Sequence, residues 1–294
     1  MAMANYGYSI TSFEFDNLDS KVEDNFRNVK LWLLIPPFLL LFSFFTYFMF
    51  SKGTNFVDKY VGCQKDLFLL LNEKLSLYPN FEFNITQLGD AQIIYPFIFV
   101  SIFYTPKLWQ ALLTSSIIAL VVSAISKSIF AIPRPAAMLD NHTFVIVGKR
   151  IKGLTSLPSG HSITAIMITT ILLFAFMPQK TFKKAIWYIL LPAIGFIVAF
   201  SRVGIGAHYP LDVIIGMTIG FSAAIIGIKV NTNLSWLNWI KNKRFYPFFI
   251  LLLLIWSVLI VKKIIALNLP IFYLSLMCLA ATLFIISNAY VKKN

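Results

Sequence analysis

Three short segments hold the residue types that could carry out chemistry. In the first, Lys127 precedes Arg134 by seven positions, and Pro135 follows. A helix running through the segment would set both cations on one face, about two turns apart. Snorkelling of the two side chains to lipid headgroups is the alternative. In the second, Pro158-Ser159-Gly160-His161 leads directly into an apolar stretch. Pro and Ser ahead of such a stretch mark a helix start. The free N–H groups of Ser159 and Gly160 would then form an anion site, which Gly160 lets an anion approach closely, with His161 beside it. An ordinary helix cap with an interfacial histidine would use the same residues. In the third, Ser201 and Arg202 are followed by His208 and Asp212, with Pro210 between the latter two. If Pro210 opens a helix, Asp212 lies under His208. A carboxylate bonded to one ring nitrogen fixes the tautomer and leaves the other nitrogen as a nucleophile. Arg202 offers a planar, bidentate cation suited to phosphate. A structural His–Asp pair at a helix start is the competing reading.

The combination says more than its parts. Two of the three histidines fall in these segments, as does Asp212, one of only two acids beyond Asp90. Three cations, a helix start, two histidines and a carboxylate on one membrane face make a site for a phosphate ester, with no metal or cofactor required. Metal-ligand spacing is absent, and Cys63 and Cys278 support no disulfide framework.

The elements that must position these residues follow from composition. The chain has 294 residues, 58% hydrophobic and 13% charged, against about 45–50% and 25% in soluble domains. Soluble globular and disordered classes are excluded, leaving an all-α polytopic membrane helix bundle. A net charge of +13 would suggest nucleic acid in a soluble protein. Here Lys and Arg mostly flank apolar runs, which suits headgroups and topology instead. Eight candidate spans can be drawn: 31–50, 91–104 (extending back toward Asn84), 108–126, 162–177, 185–201, 213–228, 246–261 and 264–290. The alternation of a transmembrane β-barrel is missing, and no internal repeat is evident.

Three regions result. Residues 1–29 are polar, acid-rich and unlike a cleavable signal. Residues 30–230 form the core, within which 51–90 reads as extramembrane. Its stretch Val57–Leu77 is expected to be an amphipathic helix, lying on the membrane or packing on the bundle. Residues 231–294 supply a loop and two further spans. Loop charges modestly favour an inside N-terminus: Lys107, then Lys180, Lys183 and Lys184, then Lys241, Lys243 and Arg244, with Lys292 and Lys293 at the end. The three chemical segments then lie at the outer face.

With these residues assembled, the chain resembles the type 2 phosphatidic acid phosphatase superfamily. Lys127, Arg134 and Pro135 match its Lys-x6-Arg-Pro motif. Pro158 to His161 match Pro-Ser-Gly-His. Ser201, Arg202, His208 and Asp212 match Ser-Arg-x5-His-x3-Asp. The likeness covers about residues 30–230, and the acidic N-terminal segment and two C-terminal helices depart from it.

The resemblance implies a six-helix core and a metal-independent phosphatase. In it His208 attacks phosphorus, Asp212 orients His208, and His161 protonates the leaving oxygen. Lys127, Arg134, Arg202, Ser159 and Gly160 hold the phosphoryl oxygens. The implied substrate is a membrane lipid phosphate or diphosphate: undecaprenyl diphosphate, phosphatidylglycerophosphate, phosphatidic acid or lipid A. Undecaprenyl diphosphate or another lipid phosphate is favoured, at the outer, periplasmic face of a bacterial inner membrane. Lys149, Arg150 and Lys152 are candidates to attract an anionic headgroup or are plain solvated surface. Transfer of the phosphoryl group to a second lipid uses the same residues, and product analysis separates it from hydrolysis. A non-catalytic lipid binder or transporter is the reading from another class. Transporters commonly show repeats and broken mid-membrane helices, whereas here the charges sit at span ends.

Overall fold

The computed structural model describes residues 9–50 and 55–291. The α-helices run in chain order as α1 (Ser9–Arg27), α2 (Ile35–Met49), α3 (Phe56–Gly62), α4 (Lys65–Leu75), α5 (Pro79–Thr86), α6 (Ala91–Phe99), α7 (Pro106–Phe130), α8 (Pro135–Met138), α9 (Gly160–Ala175), α10 (Thr181–Gly204), α11 (Pro210–Asn231), α12 (Tyr246–Leu267) and α13 (Pro270–Val291). No β-strand occurs among the described residues.

Among the described residues, six helices are long and apolar enough to cross a bilayer: those in 31–48, 106–138, 181–204, 210–231, 243–267 and 270–291. The expected span around Ala91–Tyr104 instead forms part of a broken pair, Pro79–Gly89 and Ala91–Phe103, bent by 69°. The break falls at Asp90, whose carboxylate accepts the Gln92 N–H at 2.9 Å and so caps a new helix. The expected span at 162–177 is α9, whose 16 residues reach about 24 Å, short of a ~30 Å hydrocarbon core. Phe38, Phe42, Leu120, Ile189 and Phe284 are among many large apolar side chains left exposed. In a bundle of spanning helices these face lipid.

The centre is built from α7, α9, α10 and α11. Glycines allow the close approach of α9 and α11. A Cβ at Gly216 would meet the Ser159 carbonyl at 2.7 Å, and one at Gly220 the Ile163 carbonyl at 2.4 Å. Antiparallel packing brings the end of α7, the start of α9, the end of α10 and the start of α11 to one end of the bundle.

The region 51–90 differs from a single surface helix. Residues 51–54 lie outside the described ones. Beyond them the stretch 57–77 breaks at Cys63 and Gln64 into α3 and α4. Both pack on the bundle, with Tyr60 and Phe68 fully buried. The Asn72 amide donates to the Val203 carbonyl at 2.9 Å and accepts the Val145 N–H at 2.8 Å. A polar side chain that satisfies the end of α10 must be buried, which decides for packing over lying on lipid.

The acid-rich N-terminal segment sits at the opposite end. Asp19 accepts the Lys107 N–H at 3.0 Å, and Asn25 donates to the Ala175 carbonyl at 2.9 Å. Lys107, expected in an inner loop, is buried there, donates to the Leu234 carbonyl and lies 3.7 Å from Glu23. Lys292 and Lys293 lie outside the described residues. The hairpin of α12 and α13 packs on α6. Trp256 donates to the Gln92 carbonyl at 2.9 Å, Ser275 to the Ile93 carbonyl at 3.2 Å, and Lys263 pairs with Asp90 at 2.6 Å.

Candidate active site

Lys127 lies in the last turn of α7, which stops at Phe130 because Ala131 turns left-handed at φ 46°. The helix therefore does not continue to Arg134, contrary to the expectation of two cations on one helical face. The loop brings Arg134 back. Its N–H donates to the Gly153 carbonyl at 2.9 Å, and the Ser156 N–H donates to the Ile132 carbonyl at 3.0 Å. These bonds tie the first two segments together. Arg134 Nη1 then lies 3.1 Å from His208 Nε2.

That contact determines the imidazole tautomer. A guanidinium has no acceptor, so Nε2 must present its lone pair. The proton is left on Nδ1, which faces Asp212 Oδ2 at 3.3 Å. Asp212 is the third residue of α11, which opens at Pro210, and it also accepts the Tyr209 N–H at 2.9 Å. The histidine and the carboxylate are both buried. Burial, then Arg134, Arg202 and Lys127, hold the His208 imidazole well below the ordinary histidine range, opposed by a hydrogen bond with the Ser156 backbone.

Ser159 caps α9, and its hydroxyl accepts the Ser162 N–H at 3.4 Å and the Ser162 hydroxyl at 2.8 Å. Its own N–H, expected to be free, donates instead to the Asp212 carbonyl at 3.0 Å. This joins the starts of α9 and α11. The open donors of this helix start are therefore the N–H groups of Gly160 and His161, at positions that have no intrahelical partner. Lys127 Nζ hangs over the turn, 3.8 Å from where a Gly160 Cβ would stand. His161 packs against Gly89, where a Cβ would approach its own Cβ at 2.6 Å. It lies within electrostatic reach of Arg202, His208 and Arg134.

Arg202, buried at the end of α10, donates to Thr86 Oγ1 at 3.0 Å. Its Nε and that of Arg134 are buried without a partner. Buried cationic donors left open in this way call for an anion. The structure thus brings all eight candidate residues, Lys127, Arg134, Ser159, Gly160, His161, Arg202, His208 and Asp212, to one end of the bundle. It does not bring His142 or Asp140 there: Asp140 accepts the exposed His142 N–H at 3.1 Å in a turn. Lys149, Arg150 and Lys152 are exposed. Among the described residues no group of three His, Cys, Asp or Glu has metal-binding geometry.

Sequence reasoning missed four contributors. Tyr60 and Ser156 donate to the two Asp212 oxygens at 2.6 and 2.5 Å. Thr86 holds Arg202, and Gly89 makes room for His161. Ser156, two residues before Pro158, was within sight of a motif. Tyr60, 152 positions from Asp212, left no local signal.

A groove of about 410 Å³ leads away from the site between α6, α7 and α9. Lys127, Gly160 and His161 lie at one end, and Tyr95, Leu120 and Met167 line its body.

A bundle of spanning helices that closes a carboxylate-paired histidine among anion-seeking cations describes an integral-membrane phosphatase. Residues 108–236 match the PAP2 superfamily. An undecaprenyl-diphosphatase of Sulfolobus acidocaldarius is 26% identical over 211 residues, covering 70% of this chain and 93% of the relative. Two crystal structures are similar. Aquifex aeolicus LpxE is 26% identical with a TM-score of 0.47, over 57% of this chain and 95% of its own. A PAP2-type phosphatidylglycerolphosphate phosphatase from Bacillus subtilis is 19% identical with a TM-score of 0.48, over 70% and 99%.

Proposed function

We propose that the protein hydrolyses a membrane lipid phosphate or diphosphate through a phosphohistidine, with undecaprenyl diphosphate the leading substrate. The observation that carries this reading is the His208 ring, with Asp212 on Nδ1 and the Nε2 lone pair turned toward Arg134. His208 Nε2 attacks phosphorus as the bond to the leaving oxygen breaks. His161 gives that oxygen a proton, and the dephosphorylated lipid departs. Water then attacks the phosphohistidine, giving its proton to His161, and inorganic phosphate leaves. Arg134, Arg202, Lys127 and the Gly160 N–H stabilise the charge on the equatorial oxygens, with Ser159 holding the turn that presents this N–H.

The diphosphatase activity named for the Sulfolobus relative supports a diphosphate of a long-chain lipid. So does the apolar groove that begins at His161, because it can hold the chain nearest the phosphate. Loop charges support a site on the outer face of the cytoplasmic membrane.

The test is phosphate release by purified protein in EDTA from undecaprenyl diphosphate, phosphatidylglycerophosphate, phosphatidic acid and lipid A. Release is expected from undecaprenyl diphosphate, with an acid-labile, base-stable phosphoenzyme trapped on quenching. His208→Ala is expected to lose both, turnover falling by ~10⁴-fold or more. Near-full turnover in that variant would overturn the assignment.

A further inference from the structure

We infer that two hydroxyls outside the signature motifs, Tyr60 and Ser156, form a clamp that positions the Asp212 carboxylate for the nucleophile. The inference rests on the phosphohistidine reading and adds positioning residues to it. Asp212 Oδ1 accepts from Tyr60 Oη at 2.6 Å, and Oδ2 from Ser156 Oγ at 2.5 Å. Oδ2 also faces the Tyr209 N–H and His208 Nδ1. A carboxylate bonded through one oxygen alone can rotate about its Cβ–Cγ bond. One bonded through both is fixed in plane and stays aligned with the imidazole edge.

Tyr60 is built to donate. It is fully buried, and Phe44, Phe48, Phe56 and Tyr209 surround its ring. Burial, then the Asp212 charge, hold the phenol well above the ordinary tyrosine value, so it keeps its proton. A second tie fixes the helix that carries it. Gln64 donates to the Tyr60 carbonyl at 2.8 Å and accepts the Leu211 N–H at 2.9 Å. The short helix α3 is thus bolted to the first turn of α11 at Leu211 and Asp212. Tyr60 and Gln64 both precede the family match at residues 108–236. A segment ahead of that match therefore completes the site. The groups facing the carboxylate are His208, Tyr209, Tyr60 and Ser156, with Arg134 and Lys127 within electrostatic reach.

The hydroxyl can be removed while the ring stays. Tyr60→Phe, assayed with undecaprenyl diphosphate in detergent–lipid micelles, is expected to lower kcat and the rate of phosphoenzyme formation about 10- to 100-fold, the range of a hydrogen bond to a charged group. KM and the thermal unfolding midpoint should stay near those of the wild type, a split that a purely structural tyrosine would not give. If Tyr60→Phe does not fold, Ser156→Ala carries the test, since it removes the donor to the other oxygen with the same expected split. Rates within twofold of wild type in the folded variants would overturn the clamp. Wild-type protein and His208→Ala are run alongside. A wild type that forms no phosphoenzyme defeats the catalytic reading itself, whereas an active wild type matched by the clamp variants defeats only this inference.

Discussion

At the scale of single residues, the site works by setting one imidazole between opposite influences. Asp212 holds the Nδ1 proton, while three cations oppose any proton on Nε2. The proposed nucleophile is therefore neutral where an ordinary histidine would be half charged. The sign is plain. In the proposed mechanism His208 must be unprotonated to attack, and its imidazole sits below the ordinary value of ~6.5. The rate should thus not fall on its account as pH drops through 6.5. Arg134→Gln removes a cation that resists protonation, and the acid limb of kcat/KM should move up toward 6.5. The ratio of variant to wild type across pH 5–8 measures this, because substrate ionisation cancels in it. A ratio that does not change with pH would contradict the argument. Arg134, His208 and Asp212 were legible as residue types in the sequence. The pairing of Nε2 with Arg134 was not, because it depends on a loop folding back after the left-handed Ala131.

At the scale of elements, the geometry of the candidate site depends on how closely α9 and α11 pack. The Ser159 N–H reaches the Asp212 carbonyl because Gly216 leaves no side chain between the helices. Gly216→Ala would drive a Cβ to 2.7 Å from the Ser159 carbonyl. Overpacking of this kind costs ~1–3 kcal/mol. The strain falls on the helix start whose open N–H groups are proposed to bind phosphate. Gly216→Ala should therefore unfold at lower temperature in detergent and also show a raised KM. Unchanged KM in a folded protein would mean that α9 can shift without loss of its anion site. Helix starts at Pro158–His161 and Pro210 were readable from cap residues, whose preferences are local. The division of 57–77 into α3 and α4 was not, because the amphipathic pattern is the same whether a helix lies on lipid or on protein.

At the scale of the whole molecule, the additions at either end of the chain take separate ends of the bundle. The acidic α1 meets Lys107 and the last turn of α11, away from the site. The α12–α13 hairpin instead covers α6, one wall of the apolar groove, and holds Asp90 at the groove's edge through Lys263. Deleting residues 245–294 should therefore change the ratio of kcat/KM for undecaprenyl diphosphate over phosphatidic acid. An unchanged ratio in a folded truncated protein would refute a role for the hairpin in lipid selection.

The sequence by itself determined the membrane class, the positions of most spans and the eight residues of the candidate site. Hydrophobic run length, cap residues and charged side chains in apolar surroundings are all written locally along the chain. The tertiary structure decided what local signals cannot carry. It set Tyr60 and Ser156 on Asp212, turned Arg134 onto His208 and engaged the Ser159 N–H. It also bent the span at Asp90 and packed the C-terminal hairpin against α6, one wall of the groove. Each of these depends on contacts between residues far apart in sequence, and such pairings exist only once the helices have packed.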